Sequence, residues 1–127
     1  CCSYPTSIYL KHKDLFQGFQ RIKTKKWDFV FSAGKSLKSA YHSFEKNKSG
    51  SVKMLFSKYA EKRSQVVKDT FHDAGHFYWA KPETWLSKKK IFSNKSYPII
   101  ISRLRDYDIN TIEDWKIAEK FWKERFN

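Results

Sequence analysis

The chain has 127 residues, one domain's worth or part of one, with 40% hydrophobic and 18% aromatic residues. That is enough apolar material for a core and excludes general disorder. Its formal net charge is +13, which favours anionic partners such as nucleotides, phosphates, carboxylated sugars or nucleic acid. Much of the excess is scattered Lys, which equally describes a solvated surface. The adjacent Cys1 and Cys2 form no CxxC pair, so no zinc ribbon or thioredoxin motif is available, and buried reduced thiols are expected. No apolar run is long enough to span a bilayer.

Cys1–Tyr4 reads as the end of a buried strand, closed by Pro5-Thr6-Ser7. A chain opening without Met inside such a strand is expected to be a partial reading frame. Over Asp14–Lys23, Leu15, Phe16, Phe19 and Ile22 recur at helical spacing and predict an amphipathic helix. Trp27–Ser32 is aromatic and β-branched, a central-strand pattern. Ala40–Glu45 and Val52–Phe56, separated by Asn47-Lys48-Ser49-Gly50, predict a hairpin. His76–Trp79 reads as a further strand entered through a tight loop at Asp73-Ala74-Gly75. Pro82–Lys88 predicts a short helix and Tyr97–Ser102 a buried strand. Thr111 precedes Glu113 and Asp114, as an N-cap followed by an acidic first turn does. Trp115, Ala118, Phe121 and Trp122 then share a face, so a terminal helix docking through its aromatics is expected.

Three groups of residues could carry chemistry. Asp108 and Asn110 are alternate residues on an extended segment between a strand and a helix, and so point to one side. Open α/β sheets bind ligands at the carboxyl ends of their strands, where oxygen ligands suit Mg²⁺ carrying a phosphate. From spacing alone the same two residues read more simply as strand-to-helix turn residues. Arg63, with Arg103 and Arg105, could fork a carboxylate or phosphate, or could be solvated. His72-Asp73 lacks any accompanying GxSxG nucleophile motif, which argues against a hydrolase triad.

Tyr4-Pro5-Thr6-Ser7, Trp27–Ser32, Arg63-Ser64-Gln65, Asp73–Trp79 and Asp108–Trp115 occur in the order seen in acylneuraminate cytidylyltransferases. The chain resembles that family over nearly its whole length, and the Asp-Ala-Gly-x-Phe-Tyr-Trp and Asp-Ile-x-Thr-x-Glu-Asp-Trp runs are most similar to its pseudaminic acid branch. The resemblance implies an α/β, Rossmann-like nucleotidyltransferase fold over residues 1–127, with a hairpin dimerisation arm inserted at about 35–69. It implies CMP transfer from CTP to the anomeric hydroxyl of a nonulosonic acid, with Mg²⁺ as cofactor. Asp108 would be the catalytic metal ligand, helped by Asn110. Arg63, Gln65, Phe77 and Tyr78 would face the sugar acid, and Thr6 and Ser7 would lie near the nucleotide. A cytoplasmic homodimer, with neither nucleic acid nor membrane as partner, is the matching expectation.

Three departures accompany the resemblance. The family's phosphate-cradling N-terminal strand, loop and helix have no counterpart in these residues, so the chain alone is expected to be inactive. Asn110 stands where the family has Asp, and His76 where Gln is common. The alternatives are a basic single-stranded nucleic-acid module and a degenerate, non-catalytic family member.

Overall fold

A computed structural model describes residues 1–37, 39–63 and 67–126. The chain divides into two compact units, one formed by Cys1–Gly34 with Asp73–Asn127 and the other by Lys35–His72.

The larger unit is built on a mixed four-stranded sheet. In chain order its elements are β1 (Cys2–Ser3), α1 (His12–Lys23) and β2 (Phe29–Lys35). After the second unit, which holds β3 (Phe44–Lys46) and β4 (Val52–Met54), come β5 (Phe71–Ala80), α2 (Pro82–Leu86), β6 (Ser96–Ile100) and α3 (Ile112–Phe126). The strand order is β1-β5-β2-β6. β1 pairs antiparallel with β5, placing Cys2 opposite Tyr78. β2 pairs parallel with β6, from Phe29 opposite Ser96 to Ala33 opposite Ile100.

β2 is an interior strand because it can be buried on both faces: Phe29, Val30, Ser32 and Ala33 are each at most 1% exposed. Ile22 of α1, Val30, Phe77 and Ile99 form the core, edged by Leu10, Leu15, Trp27, Trp79 and Tyr97. A buried ion pair ties α1 to the segment after β6. The Arg105 guanidinium binds both carboxylate oxygens of Asp14 and donates to the Tyr9 carbonyl at 3.2 Å. Arg105 is therefore a structural cation and not a ligand-gripping fork.

Three expectations need correction. Both cysteines are exposed, because β1 is a two-residue strand at the edge of the sheet. Asp73-Ala74-Gly75 is not a loop before the strand but part of β5, which bends at Gly75, where φ is +66°. α3 docks chiefly through Ala118, and its aromatics are only partly covered, with Phe121 edge-on to Tyr107. Ala118 is buried and its carbonyl accepts from the Tyr9 hydroxyl at 2.8 Å. Trp115, Phe121 and Trp122 remain about half exposed, and two of them border an apolar groove of about 410 Å³ with Ile8 and Ile109.

In the smaller unit β3 and β4 form the expected hairpin, with Phe44 opposite Met54. Its turn is held by the Asn47 side chain, which accepts from Ser51 N–H, and by Gly50 at φ +88°. Residues 40–42 form a 3-10 turn where strand was expected. Ser39 caps that turn, and Tyr41 swings in to pack on Tyr59 and Phe56. Among the described residues no helix is long and apolar enough to cross a membrane.

Candidate functional site

The segment 106–110 lies across the sheet between β6 and α3, and Gly34 lets it approach closely. A β-carbon on Gly34 would sit 1.8 Å from Asp106 Oδ2, and one on Gly75 would lie 3.6 Å from Asp108 Oδ2. Asp106 thus rests on the end of β2, and Asp108 on the bend of β5.

The exposed Asp108 carboxylate is held from its own segment. Its Oδ1 accepts from Ile109 N–H at 3.0 Å, and its Oδ2 accepts from the Asn110 amide nitrogen at 3.2 Å. The two side chains are in contact through the Asn110 amide nitrogen, so the Asn110 amide oxygen, an acceptor, is not used in that bond. Immediately afterwards the chain turns into α3 through a reciprocal cap. Asp114 N–H donates to Thr111 Oγ1, while Asp114 Oδ2 accepts from the N–H groups of Asn110 and Thr111 and from the Thr111 hydroxyl. Those bonds hold the Asp114 carboxyl below its usual range.

Opposite Asp108, the bend of β5 is organised by Asp73. Its Oδ1 accepts from Gly75 N–H at 3.0 Å and its Oδ2 from the Tyr78 hydroxyl at 2.5 Å. Tyr78 is buried, with the edge of Tyr4 against its ring. Burial first, and the bond to Asp73 second, push its phenol well above the ordinary tyrosine value. The Ser7 hydroxyl donates to the His76 carbonyl at 3.0 Å, which fastens the 5–10 turn to the same bend. Thr6 lies beside it in that turn, where its carbonyl accepts from Ile8 N–H.

His76 is 1% exposed, and neither ring nitrogen has a hydrogen-bond partner among the described residues. Burial lowers its pKa below 6.5, while the charge of Asp106 raises it and that of Arg105 lowers it. Sequence reading singled out His76 only as a departure from a family pattern. Asp73 reads as a tight-loop residue and Asp106 as a polar residue before α3, because nothing in the linear pattern shows that Asp73 binds Gly75 N–H or that Asp106 rests on Gly34.

The larger unit thus gathers Thr6, Ser7, Tyr78, Asp108 and Asn110 of the expected site residues. Phe77 belongs to the core, with no exposed surface. Arg63 is exposed and lies in the smaller unit, and Gln65 falls outside the described residues. Among the described residues no three His, Cys, Asp or Glu side chains converge as a metal cage. Hydrated Mg²⁺ does not need one, since it is usually held by one or two carboxylates together with substrate phosphates. The exposed Asp108 carboxylate, with the Asn110 amide oxygen, fits that sparser demand.

The chain aligns over 123 residues, 97% of its length, with a pseudaminic acid cytidylyltransferase of Campylobacter jejuni serotype O:2 at 30% identity. The chain is homologous to pseudaminic acid cytidylyltransferases. A second Campylobacter jejuni cytidylyltransferase, from serotype O:23/36, is 29% identical over the same length. A Helicobacter pylori protein is 31% identical over 120 residues, 94% of this chain. That protein is both a pseudaminic acid cytidylyltransferase and a UDP-2,4-diacetamido-2,4,6-trideoxy-β-L-altropyranose hydrolase. The chain spans about half the length of the two Campylobacter cytidylyltransferases (53%) and 23% of the Helicobacter protein. No family model matches it. The mixed sheet with its parallel β2–β6 pair and separate hairpin is consistent with part of a nucleotidyltransferase-like fold.

Proposed function

We propose that this chain is part of an enzyme that transfers CMP from CTP to the anomeric hydroxyl of a nonulosonic acid of the pseudaminic type, releasing pyrophosphate. The observation that carries this reading is the alignment of 97% of the chain with a pseudaminic acid cytidylyltransferase. The position of Asp108 after the parallel strand β6, beside the bend of β5, supports it.

Asp108, oriented by Ile109 N–H and Asn110, would hold Mg²⁺ together with the Asn110 amide oxygen. When bound, the cation would neutralise charge on the phosphates of CTP. The neutral Asn110 makes this a less charged site than two carboxylates would. Ser7 and Thr6, fastened to the β5 bend, would border the nucleotide. Tyr78 would line the sugar-acid pocket, backed by Phe77 from the core, and the sugar-acid roles of Arg63 and Gln65 stand only on the family resemblance. No glycine-rich phosphate loop occurs in these 127 residues, so the 127-residue chain alone is expected to be inactive.

The exposed Leu37, Phe44, Val52 and Leu55 of the smaller unit support its use as a dimerisation arm. Sedimentation of the native gene product and of a Phe44→Ser/Val52→Ser variant tests this. A dimer converted to a monomer is expected, and an unchanged dimer would remove the arm from the account. Incubation of the native gene product with CTP, Mg²⁺ and pseudaminic acid tests the activity itself. Salt-sensitive binding of random oligonucleotides without CMP transfer would favour the nucleic-acid alternative instead.

A further inference from the structure

Tyr78 has one proton to donate, and the structure shows where it goes. Asp73 Oδ2 accepts it, while Asp73 Oδ1 is fixed by Gly75 N–H in a bend that requires the left-handed conformation of Gly75. The carboxylate is thus held at both oxygens from within β5. A phenol oxygen whose hydrogen is committed can only accept from anything else that reaches it.

We propose that Asp73 is a positioning residue which makes Tyr78 an obligate hydrogen-bond acceptor, so that the part of the sugar acid meeting Tyr78 is a hydroxyl or an amide N–H and not the carboxylate. This deepens the sugar-pocket reading of Tyr78 given above and rests on it. The local charge agrees. Asp73 and Asp108 flank Gly75 from two sides, and a substrate carboxylate brought there would meet two like charges. The raised pKa of the phenol has the same origin, in burial and the Asp73 bond, and keeps Tyr78 protonated throughout the working range.

Two measurements on the native gene product test this. The first needs no activity. With tyrosine labelled at Cζ, the Tyr78 resonance is assigned by its loss in Tyr78→Phe and followed by NMR as pH rises to about 11. Tyr78 is expected to stay protonated while exposed tyrosines ionise near pH 10, and Asp73→Ala should lower its titration towards theirs, with burial still holding it above them. If Tyr78 ionises with the exposed tyrosines in the unaltered protein, the clamp does not exist.

The second measures binding of pseudaminic acid and of analogues that each lack one donor, by deoxygenation of a hydroxyl or N-methylation of an amide. One analogue should bind about tenfold more weakly to the unaltered protein, and that penalty should vanish in Tyr78→Phe. Asp73→Ala should shrink the penalty and Asp73→Glu partly restore it, with the affinity for CTP unchanged. The same penalty in Tyr78→Phe as in the unaltered protein would overturn the proposal. Sugar-acid binding with this pattern but without CMP transfer would instead count against the transferase reading and leave the role of Asp73 standing.

Discussion

The carboxylate of Asp106 occupies the space that a β-carbon at residue 34 would need: the ideal Cβ position of Gly34 is 1.8 Å from Asp106 Oδ2. A methyl group cannot share that space with a carboxylate, so Gly34 fixes how closely segment 106–110 lies on β2. Gly34→Ala should destabilise the fold by about 1–3 kcal/mol in urea titration. It should also lower activity more than that loss explains, because it displaces the segment that carries Asp108. A variant with unchanged midpoint and turnover would show that the contact does not position the site.

The Asp14–Arg105 pair makes the same segment dependent on α1. Both side chains are buried, so removing one leaves an uncompensated charge in the interior. Arg105→Met is expected to cost about 3–5 kcal/mol, whereas the double replacement Asp14→Leu/Arg105→Met should recover most of it. Chemical denaturation of the three proteins checks this.

His76 should impose a pH dependence on stability. Its folded-state pKa lies below 6.5, so as pH falls through 6.5 the unfolded chain takes up a proton that the folded chain refuses. Stability should therefore fall with pH in that window and level off only below the lowered folded-state value. His76→Gln should flatten the slope between about pH 7 and 5, whatever it does to the absolute midpoint. An identical slope in the variant would place the dependence on another group.

Asn110 bears on the metal reading. A second carboxylate beside Asp108 adds charge where Mg²⁺ is proposed to sit. Asn110→Asp in the native gene product should lower the Mg²⁺ concentration needed for half-maximal rate severalfold. No change in a titration of rate against Mg²⁺ would separate residue 110 from the metal.

Elements whose residues share one environment along their length were legible in the sequence. α1, the buried β2, the Asn47–Gly50 turn and the Thr111 cap all declare themselves through spacing or turn chemistry. Features set by distant parts of the chain were not. The cysteines read as buried because they are apolar, but their strand lies at the sheet edge with partners on one side only. The aromatics of α3 read as its docking face, yet it is Ala118 that lets the helix approach Tyr9 closely. In the site, Asp108 and Asn110 could be paired from their alternation alone. The Asp73–Tyr78 bond spans five residues around a bend that the sequence places before the strand, so its register was hidden.

The proposed CMP transfer to a nonulosonic acid depends on the carboxylate of Asp108. The most direct measurement is the rate of CMP-sugar formation by the native gene product and its Asp108→Ala variant, with CTP, Mg²⁺ and pseudaminic acid, followed by mass spectrometry. Formation of the CMP-sugar by the unaltered protein is predicted, with a drop of about a hundredfold or more in the variant. No CMP-sugar from a folded native protein, or equal rates with and without the Asp108 carboxylate, would contradict the account.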